Sequence, residues 1–248
     1  MISIVTPVLN GSKFIQSNIE SIEKLNIPYE HIIVDGGSTD GTIEIIKKYP
    51  KIILLNQSAN TGLYGALDQG ILHSRGKYIG WVNADDIIIP NGYEKLYKYT
   101  DLKNADFAYS HGFHHHVEEY RYKRFYARLF VRSLLRVGVF PLVQTSVIFS
   151  LSSYNKVGGF NYNKFRLIGD RDLFQRMSYD SELKFLFVPV FSSIFLRYKG
   201  SLLYRNLEQR KEEWKYCIKT KTNIFHRIIF HGSQVFRHIH WILSNKQI

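Results

Sequence analysis

Apolar residues follow two alternating periods over about the first 80 positions of the chain. Short apolar runs typical of buried strands alternate with stretches in which apolar residues recur at helical spacing. The predicted strands are Ile2–Pro7, Ile32–Asp35, Ile52–Asn56 and Tyr78–Val82, and the predicted helices span about 13–25, 41–48 and 63–74. Because strand and helix alternate, the pattern predicts an α/β domain with a parallel sheet and helices on both faces.

An acid ends the second predicted strand. Asp35 follows the β-branched run Ile32–Val34, and Gly36 and Gly37 after it permit a tight turn where a Cβ would clash. Asp40 can cap the helix that comes next. Open α/β folds bind ligands at the carboxyl ends of their strands, so this layout predicts a ligand-facing carboxylate. An ordinary strand–turn–helix connection would have the same local pattern.

Two acids end the fourth predicted strand, in the run Asn83-Ala84-Asp85-Asp86. Adjacent carboxylates repel each other in a partly dry site unless a cation joins them. Their oxygens suit a hard divalent ion such as Mg2+ or Mn2+, which often also binds phosphate. These residues therefore predict a metal site, and an acidic turn before Pro90 is the alternative.

The stretch from Tyr120 to Phe140 contains six basic residues and no acid. Basic and apolar side chains fall on opposite sides of a helical projection: Arg124, Arg128, Arg132 and Arg136 against Tyr126, Phe130, Leu134 and Val137. The pattern predicts one basic amphipathic helix. Such a helix either lies on an anionic membrane surface or packs on its own domain with a solvated arginine face.

The last stretch, about 206–245, also has a helical pattern. Its apolar residues share one face: Ile224, Phe225, Ile228, Val235, Phe236, Ile239, Ile242 and Leu243. We expect a C-terminal helical extension that docks on the membrane, on the domain, or on a second copy of the chain as a homodimer.

Composition narrows the possible functions. The 248-residue chain is 45% hydrophobic, enough for a full core, and its single cysteine, Cys217, excludes a disulfide framework. No run of roughly 18 apolar residues occurs, and the first residues favour no signal peptide, so we expect a cytoplasmic protein. The net charge of +12 suits nucleic acid, an anionic membrane or phosphorylated ligands. No recognised nucleic-acid-binding module is present, so no nucleic-acid partner is expected.

Histidines raise the question of a zinc site, above all His111 and His114–His116. Zinc requires fixed and well-supported ligands. Three consecutive histidines do not readily face one ion, and no cysteine pair assists them. We therefore expect a solvated loop at these positions. A dinucleotide-dependent dehydrogenase is also disfavoured, because no G-x-G-x-x-G follows the first strand.

Several segments share their order and spacing with a known family: ISIVTPVLNG, HIIVDGGSTDGT, NTGLYGALDQGI and GKYIGWVNADD. They resemble the family 2 glycosyltransferases, which have the GT-A fold, a Rossmann-like mixed sheet flanked by helices. VQTSVIFSLSSYNKVGGFN is similar to the strand–helix–GGF segment of small bacterial members, and GDRDLFQRM to their ED motif. The resemblance covers roughly residues 1–200. It implies a nucleotide-sugar half at about 1–100 and an acceptor half at about 101–200, followed by the extension at 201–248.

The resemblance also implies functional residues, position by position. The nucleotide-binding residues would be Thr6, Pro7, Asn10, Asp35, Ser38, Asn83 and Ala84. The metal ligands would be Asp85 and Asp86, the catalytic base Asp170, and the acceptor-binding residues Gln144 and Asp172. Three positions depart from the family pattern: Asn83 and Gly65 stand where relatives carry acids, and Val143 replaces a histidine.

Asp170 is also notable without the resemblance. Gly169 and Asp170 precede Leu173, Phe174 and Met177 at helical spacing, which places the acid at a helix N-terminus. There the helix dipole and free N–H groups favour an anion. A plain N-cap would have the same pattern, whereas the resemblance implies a general base.

The implied function is that of an inverting glycosyltransferase. It would move a sugar from a nucleotide diphosphate sugar, expected to be UDP-linked, to a glycan or lipid-linked acceptor with the help of Mn2+ or Mg2+. Cell-surface polysaccharide assembly at the cytoplasmic face of the membrane is the context that the resemblance implies. The alternative is a catalytically silent scaffold of the same fold that binds a nucleotide or a membrane.

Overall fold

The computed structural model describes residues 1–58, 61–127, 130–202 and 206–219, without the side chains of 216–219. The strands are β1 (Ile2–Val8), β2 (Tyr29–Asp35), β3 (Ile53–Asn56), β4 (Tyr78–Trp81), β5 (Ile87–Ile88), β6 (Phe107–His116), β7 (Arg121–Phe125), β8 (Val147–Ser150) and β9 (Phe185–Arg197). The helices are α1 (Ile15–Glu23), α2 (Thr42–Ile46), α3 (Gly62–Leu72), α4 (Pro90–Leu102), α5 (Val131–Arg136), α6 (Leu151–Lys156), α7 (Gly169–Tyr179) and α8 (Leu207–Lys219), with a short 3-10 helix at Gln144–Ser146.

One mixed sheet organises these residues. Its order is β3-β2-β1-β4-β8-β6-β9-β5, and β7 pairs with β6. β1 lies parallel to β2 and β4, and β2 lies parallel to β3. β8 enters antiparallel between β4 and β6. The predicted parallel sheet of the first half and the mixed α/β fold are therefore both confirmed.

Helices cover both sides of the parallel strands, which explains why β1 is buried along its whole length. On one side Ile15 and Ile19 of α1 pack with Ile33 of β2. On the other side α3 packs closely on β1. Gly70 permits this approach, because a Cβ there would come within 2.5 Å of a methyl group of Val5.

Aromatic residues build the core of the second half. Phe107 of β6 stacks on Phe185 of β9 with ring centroids 4.6 Å apart, and it meets Phe174 of α7 edge-on at 5.0 Å. All three belong to the cluster that joins α3 and α7 to the sheet or pack against it. This cluster attaches α7, and with it Asp170, to the sheet.

The predicted helix from Tyr120 to Phe140 is wrong. Its first part is β7, which pairs antiparallel with β6, and α5 begins only at Val131. Tyr120 has a left-handed φ of 48°, so the backbone turns there and no helix continues through it. β7 also pairs with an edge of β6 that would otherwise lie open. Arg124 lies on β7, and Arg128 is outside the described residues.

Two of the arginines assigned to that helix bind the end of α7. Nε of Arg132 and Nε of Arg136 donate to the carbonyl oxygen of Ser178 at 3.1 and 2.8 Å. Arg132 also donates to the carbonyl oxygen of Asp180. The last carbonyls of a helix lack internal partners and attract cations. α5 therefore packs on its own domain, one of the two alternatives.

The histidine run is not a solvated loop, which corrects that expectation. His111 and His114–His116 lie on β6. The ring of His115 stacks on Tyr122 of β7 at 4.1 Å, and the ring of His114 lies 5.1 Å from Phe125. These rings pair with aromatic rings of the neighbouring strand and thereby stabilise the hairpin.

The beginning of the C-terminal extension docks on the domain as α8. Nε1 of Trp214 donates to the carbonyl oxygen of Gly138 at 3.3 Å, and Arg171 lies over its ring at 5.8 Å. The apolar face predicted from Ile224 onward is outside the described residues, and the division of the chain near residue 200 stays a prediction. Within the described part, no helix has the length and apolar character that a membrane crossing requires.

Candidate active site

A cavity of about 600 Å3 opens where the parallel strands end. Pro7 and Val8 come from β1, Gly36 follows β2, Gln57 follows β3, and residues 83–85 follow β4. The end of β9 and the residues after it complete the lining with Phe195, Leu196 and Tyr198. The cavity has the size of a small-molecule site, roughly 300–1,000 Å3, at the edge where open α/β sheets bind ligands.

Asp35 ends β2 beside this cavity and is only 4% exposed. Its Oδ2 accepts the N–H groups of Gly37 and Ser38 at 2.8 and 2.9 Å, and Gly37 makes the turn with a φ of 94°. Its Oδ1 is buried and has no hydrogen-bond partner among the described residues. Because an unpaired buried acceptor is costly, Oδ1 suits an N–H donor of a ligand.

The turns after β1 and β2 are tied to each other. The N–H of Asn10 donates to Oγ of Ser38 at 2.8 Å, and Oδ1 of Asn10 accepts the N–H of Thr39 at 2.9 Å. Asn10 and Pro7 line the cavity. Thr6, predicted beside them, is fully buried, and its hydroxyl contacts Nε2 of His31 at 2.9 Å. Thr6 therefore supports the strand from inside and does not face a ligand.

Asp85 is the acid after β4 that faces the cavity. Burial raises the pKa of its carboxyl group, and a hydrogen bond from Tyr198 opposes the rise. Ala84 and Asn83 line the cavity beside it. The structure thus brings together the predicted residues 83–85.

Asp86 has the opposite environment, since it is fully buried. Its Oδ2 accepts from the hydroxyl of Thr145 at 2.8 Å and from Nδ2 of Asn83 at 3.0 Å, and its Oδ1 accepts the N–H of Leu196 at 3.0 Å. Burial raises the pKa of Asp86 well above its ordinary value, and the charge of Asp85 adds to the rise. Asp86 joins β9 to the β4 end, so the predicted pair of metal ligands reduces to Asp85.

The amide of Asn83 explains one departure from the family pattern. Its Nδ2 donates to Oδ2 of Asp86 and, at 3.3 Å, to Oε1 of Gln144, while its Oδ1 accepts from Nε1 of Trp81 at 2.8 Å. A carboxylate at this position could not donate to the two oxygens. Gln144 is 6% exposed and also donates to the carbonyl oxygen of Trp81. It lies behind Asn83 and is not placed to touch an acceptor.

Gly65, another departure, is required by packing. A Cβ there would lie 1.9 Å from Oγ1 of Thr61. That hydroxyl accepts from Nε2 of Gln57 at 2.8 Å, and the same amide donates to the carbonyl oxygen of Gly62. Gln57 and Gly62 line the cavity. The absence of a side chain at Gly65 therefore allows this part of the cavity wall to pack closely.

Asp170 lies in the first turn of α7, as predicted. The hydroxyl of Tyr64 donates to its Oδ1 at 3.0 Å. Burial raises the pKa of Asp170, while the charge of Arg171 and the Tyr64 hydrogen bond oppose the rise. Tyr64 follows Leu63, a residue of α3 that lines the cavity, whereas Asp170 is not itself among the described lining residues. A half-buried carboxylate with a raised pKa is suited to accept a proton.

Asp172, predicted to touch the acceptor, is 3% exposed. Its Oδ2 pairs with the guanidinium of Arg176 at 2.8 Å. Arg176 also donates to the carbonyl oxygen of Gly159 at 2.6 Å. Asp172 therefore holds α7 against the glycine turn, which corrects the prediction.

No sequence pattern predicted a role for Glu213 of α8. Its carboxylate accepts three consecutive backbone N–H groups, those of Arg166 at 3.2 Å, Leu167 at 3.0 Å and Ile168 at 3.2 Å. These residues lead directly into Gly169 and α7. No local pattern links Glu213 to this loop, just as none linked Tyr64 to Asp170, because each contact joins distant parts of the chain.

A divalent ion fits the cavity through Asp85. Among the described residues, no three His, Cys, Asp or Glu side chains converge as a metal site. An ion that is shared with phosphate groups needs only one or two protein carboxylates. Asp85, as the cavity-facing acid, is the residue that would hold such an ion beside a diphosphate.

Comparisons with known proteins agree with this geometry. The family model described as "Glycosyl transferase family 2" matches residues 3–170. A poly(ribitol-phosphate) beta-glucosyltransferase of Bacillus spizizenii is 32% identical over 113 residues, which cover 42% of this chain and 18% of the relative. The chain spans about a third of the length of the curated relatives that it matches first.

Solved structures confirm the GT-A fold. S. aureus TarS 1–349 in complex with UDP-GlcNAc aligns with a TM-score of 0.69 at 15% identity, over 87% of this chain and 65% of that one. The mannosyltransferase PcManGT from Pyrobaculum calidifontis in complex with GDP-Man and Mn2+ aligns with a TM-score of 0.65 at 15% identity, over 91% and 66%. At this identity the likeness concerns the fold.

Proposed function

Because the chain belongs to glycosyl transferase family 2, we propose that it is an inverting, hexosyltransferase-like glycosyltransferase. It moves a sugar from a nucleotide diphosphate sugar to a hydroxyl group of a glycan or lipid-linked acceptor in cell-surface polysaccharide assembly. The observation that carries the proposal is the strand-end cavity, which has the Asp35 turn at one side and Asp85 in its wall. Both acids offer oxygens to one nucleotide.

Asp35 recognises the base of the donor. Its unpaired Oδ1 accepts an N–H group, and uracil presents such a donor at N3. A uridine-linked donor is therefore the first to test, and the UDP-GlcNAc complex of the TarS neighbour agrees with that choice. Asn10 and the turn that it shares with Ser38 close the same side of the nucleotide.

Asp85 is the residue that would hold a divalent ion, Mn2+ or Mg2+, beside the diphosphate. When bound, such an ion would supply positive charge to offset the charge that develops on the departing diphosphate. The Mn2+ in the PcManGT neighbour supports this role. Asp86 keeps Asn83 and the end of β9 in place around it.

Asp170 is the catalytic base. It takes the proton of the acceptor hydroxyl while that oxygen forms the new bond to the anomeric carbon. The bond between the anomeric carbon and the diphosphate, on the opposite face of the sugar, breaks at the same time. The anomeric configuration therefore inverts. A lipid-linked acceptor would bring the chain to the cytoplasmic face of the membrane.

The test is nucleotide release from a panel of UDP-sugars and GDP-mannose, with and without Mn2+, by the wild type and by Asp170→Asn. We expect one donor to be turned over with metal. Asp170→Asn should lower the rate by about 10²- to 10⁴-fold, the usual contribution of a general base, with the Kd of UDP unchanged. Binding of UDP without any turnover would instead favour the silent scaffold, and an active Asp170→Asn would remove that residue from the base role.

A further inference from the structure

One side of the β6–β7 hairpin collects basic side chains. Directly opposed residues of neighbouring strands point to the same side of a sheet. β7 places Lys123 opposite His114 and Arg121 opposite His116, and β9 places Arg197 opposite His116. These five residues therefore share one side, which we call the basic hairpin face.

The basic hairpin face continues into the cavity. Phe195 of β9 lies opposite His114, with the two rings 5.8 Å apart. Phe195 also lines the cavity. An extended ligand that leaves the cavity past Phe195 therefore meets the basic hairpin face next.

Three cations of this face have no acidic partner within 4 Å among the described residues: Arg121 and Lys123, which are exposed, and Arg197. His116 differs from them, because its Nδ1 lies 4.0 Å from the carboxylate of Glu119. Nε of Arg197 is buried and has no hydrogen-bond partner in the part of the chain that the structure describes. Burial, together with the neighbouring charges of Arg197 and Lys123, lowers the pKa of His114 to about 3. Arg197 and Lys123 therefore both lie close to His114, and an anion bound on this side of the hairpin would meet both charges.

We propose that the basic hairpin face binds an anionic glycan, one that bears phosphate or carboxylate groups, as the acceptor. This inference rests on the proposed function and names the acceptor class. Arg121 and Lys123 lie two residues apart on β7, which separates them by about 7 Å. Successive anionic groups of one extended chain can therefore contact both, while its terminal hydroxyl enters the cavity past Phe195.

The strand residues of this face suit a glycan better than a lipid surface, and the exposed aromatic beside them is the turn residue Tyr120, which precedes β7. A membrane-binding surface places exposed aromatic and aliphatic side chains beside its cations, so that they enter the lipid. The exposed Tyr122 instead stacks on His115 on the other side of the hairpin. On the basic hairpin face, Phe125 packs against His114 and is half-buried.

Two double variants test the proposal. Arg121→Ala/Lys123→Ala removes both exposed cations of the face, and Lys47→Ala/Lys48→Ala removes the same charge from the exposed end of α2. The probes are polyphosphate, oligogalacturonate and neutral dextran, with the Kd of each measured in the presence of UDP. We expect at least one anionic probe to bind the wild type and dextran not to bind.

The hairpin variant should raise the Kd of that probe about tenfold, since each exposed ion pair contributes up to about 1 kcal/mol. The control variant should stay within about twofold. Equal loss in both variants, or no binding of either anionic probe, overturns the proposal. So does hairpin-dependent binding of phosphatidylglycerol vesicles with no binding of the two probes.

Nucleotide release, measured on the same samples, separates the two proposals. Donor turnover by a protein that ignores the anionic probes overturns the acceptor inference and leaves the proposed function in place. Anion binding by a protein that turns over no donor overturns the proposed function and, with it, the acceptor role.

Discussion

The two halves of the molecule place their candidate functional side chains in different ways. In the first half, Asp35 is the last residue of β2 and Asp85 lies in the loop after β4, and parallel pairing brings both strand ends to one edge. In the second half, Asp170 begins a helix whose position depends on partners far away in the chain. Tyr64 reaches it from α3, and Glu213 of α8 binds the loop before it.

A local sequence pattern is enough to predict the position of a functional side chain only in the first half. An acid that ends a buried parallel strand has its place decided by the strand itself. The orientation of a side chain at a helix N-terminus depends on the residues that pack around that terminus. The hairpin makes the same point, because Arg124, the first of the arginines at helical spacing, lies on β7 and pairs with β6, where edge pairing outweighs helical periodicity.

The largest effects should come from the two adjacent acids after β4. Asp86→Ala is expected to lower the free energy of unfolding by about 3 kcal/mol, because it leaves several buried donors without an acceptor. Asp85→Ala should change that free energy little, yet reduce metal-dependent donor turnover by about a hundredfold or more. Urea unfolding and nucleotide release measure the two effects. A similar loss of stability in both variants would contradict the different roles.

The loop before α7 gives the next effect. Glu213→Ala removes the acceptor of three backbone N–H groups, so we expect kcat to drop about tenfold through misplacement of Asp170, since small displacements of a reacting group are costly. The Kd of UDP should not change. Glu213→Gln keeps one acceptor oxygen and should recover part of the rate.

Glu212→Ala is the matched control for this positioning role. Glu212 is exposed on the same helix, so its removal changes the charge equally and should leave kcat unaltered. If Glu213→Ala lowered only the thermal midpoint, with kcat unchanged well below it, α8 would serve stability alone.

The smallest effect concerns the pH profile. The base must be ionised, so the rate should rise with pH through the raised pKa of Asp170. The Tyr64 hydroxyl stabilises the charged form, and its removal in Tyr64→Phe should raise this pKa further. The acid limb of kcat/KM should then move to higher pH by about one unit, as expected for a hydrogen bond to a charged group.

Tyr179→Phe serves as the comparison, since this hydroxyl bonds the carbonyl oxygen of Arg136 at the other end of α7. Its acid limb should coincide with that of the wild type. An unmoved limb in Tyr64→Phe would show that Asp170 does not control the profile.

Much of the first half could be predicted from the sequence. The strands β1 to β4, their parallel direction and the cavity edge follow from apolar runs that end in Asp35 and residues 83–85. The exposure of each side chain did not follow. Thr6, Gln144 and Asp172 match a functional pattern, but each is almost fully buried and bonds to the protein itself.

Hydrophobic period and turn chemistry are local properties, so the residue pattern was enough to predict the alternation of strand and helix and, with it, the edge at which the acids gather. The folded chain was needed to show that Asp85 faces the cavity while Asp86 faces the core, and that Tyr64 and Glu213 act on the start of α7. Hydrogen bonds between residues far apart in the chain depend on the geometry of the fold, which the spacing of residues along the chain does not reveal.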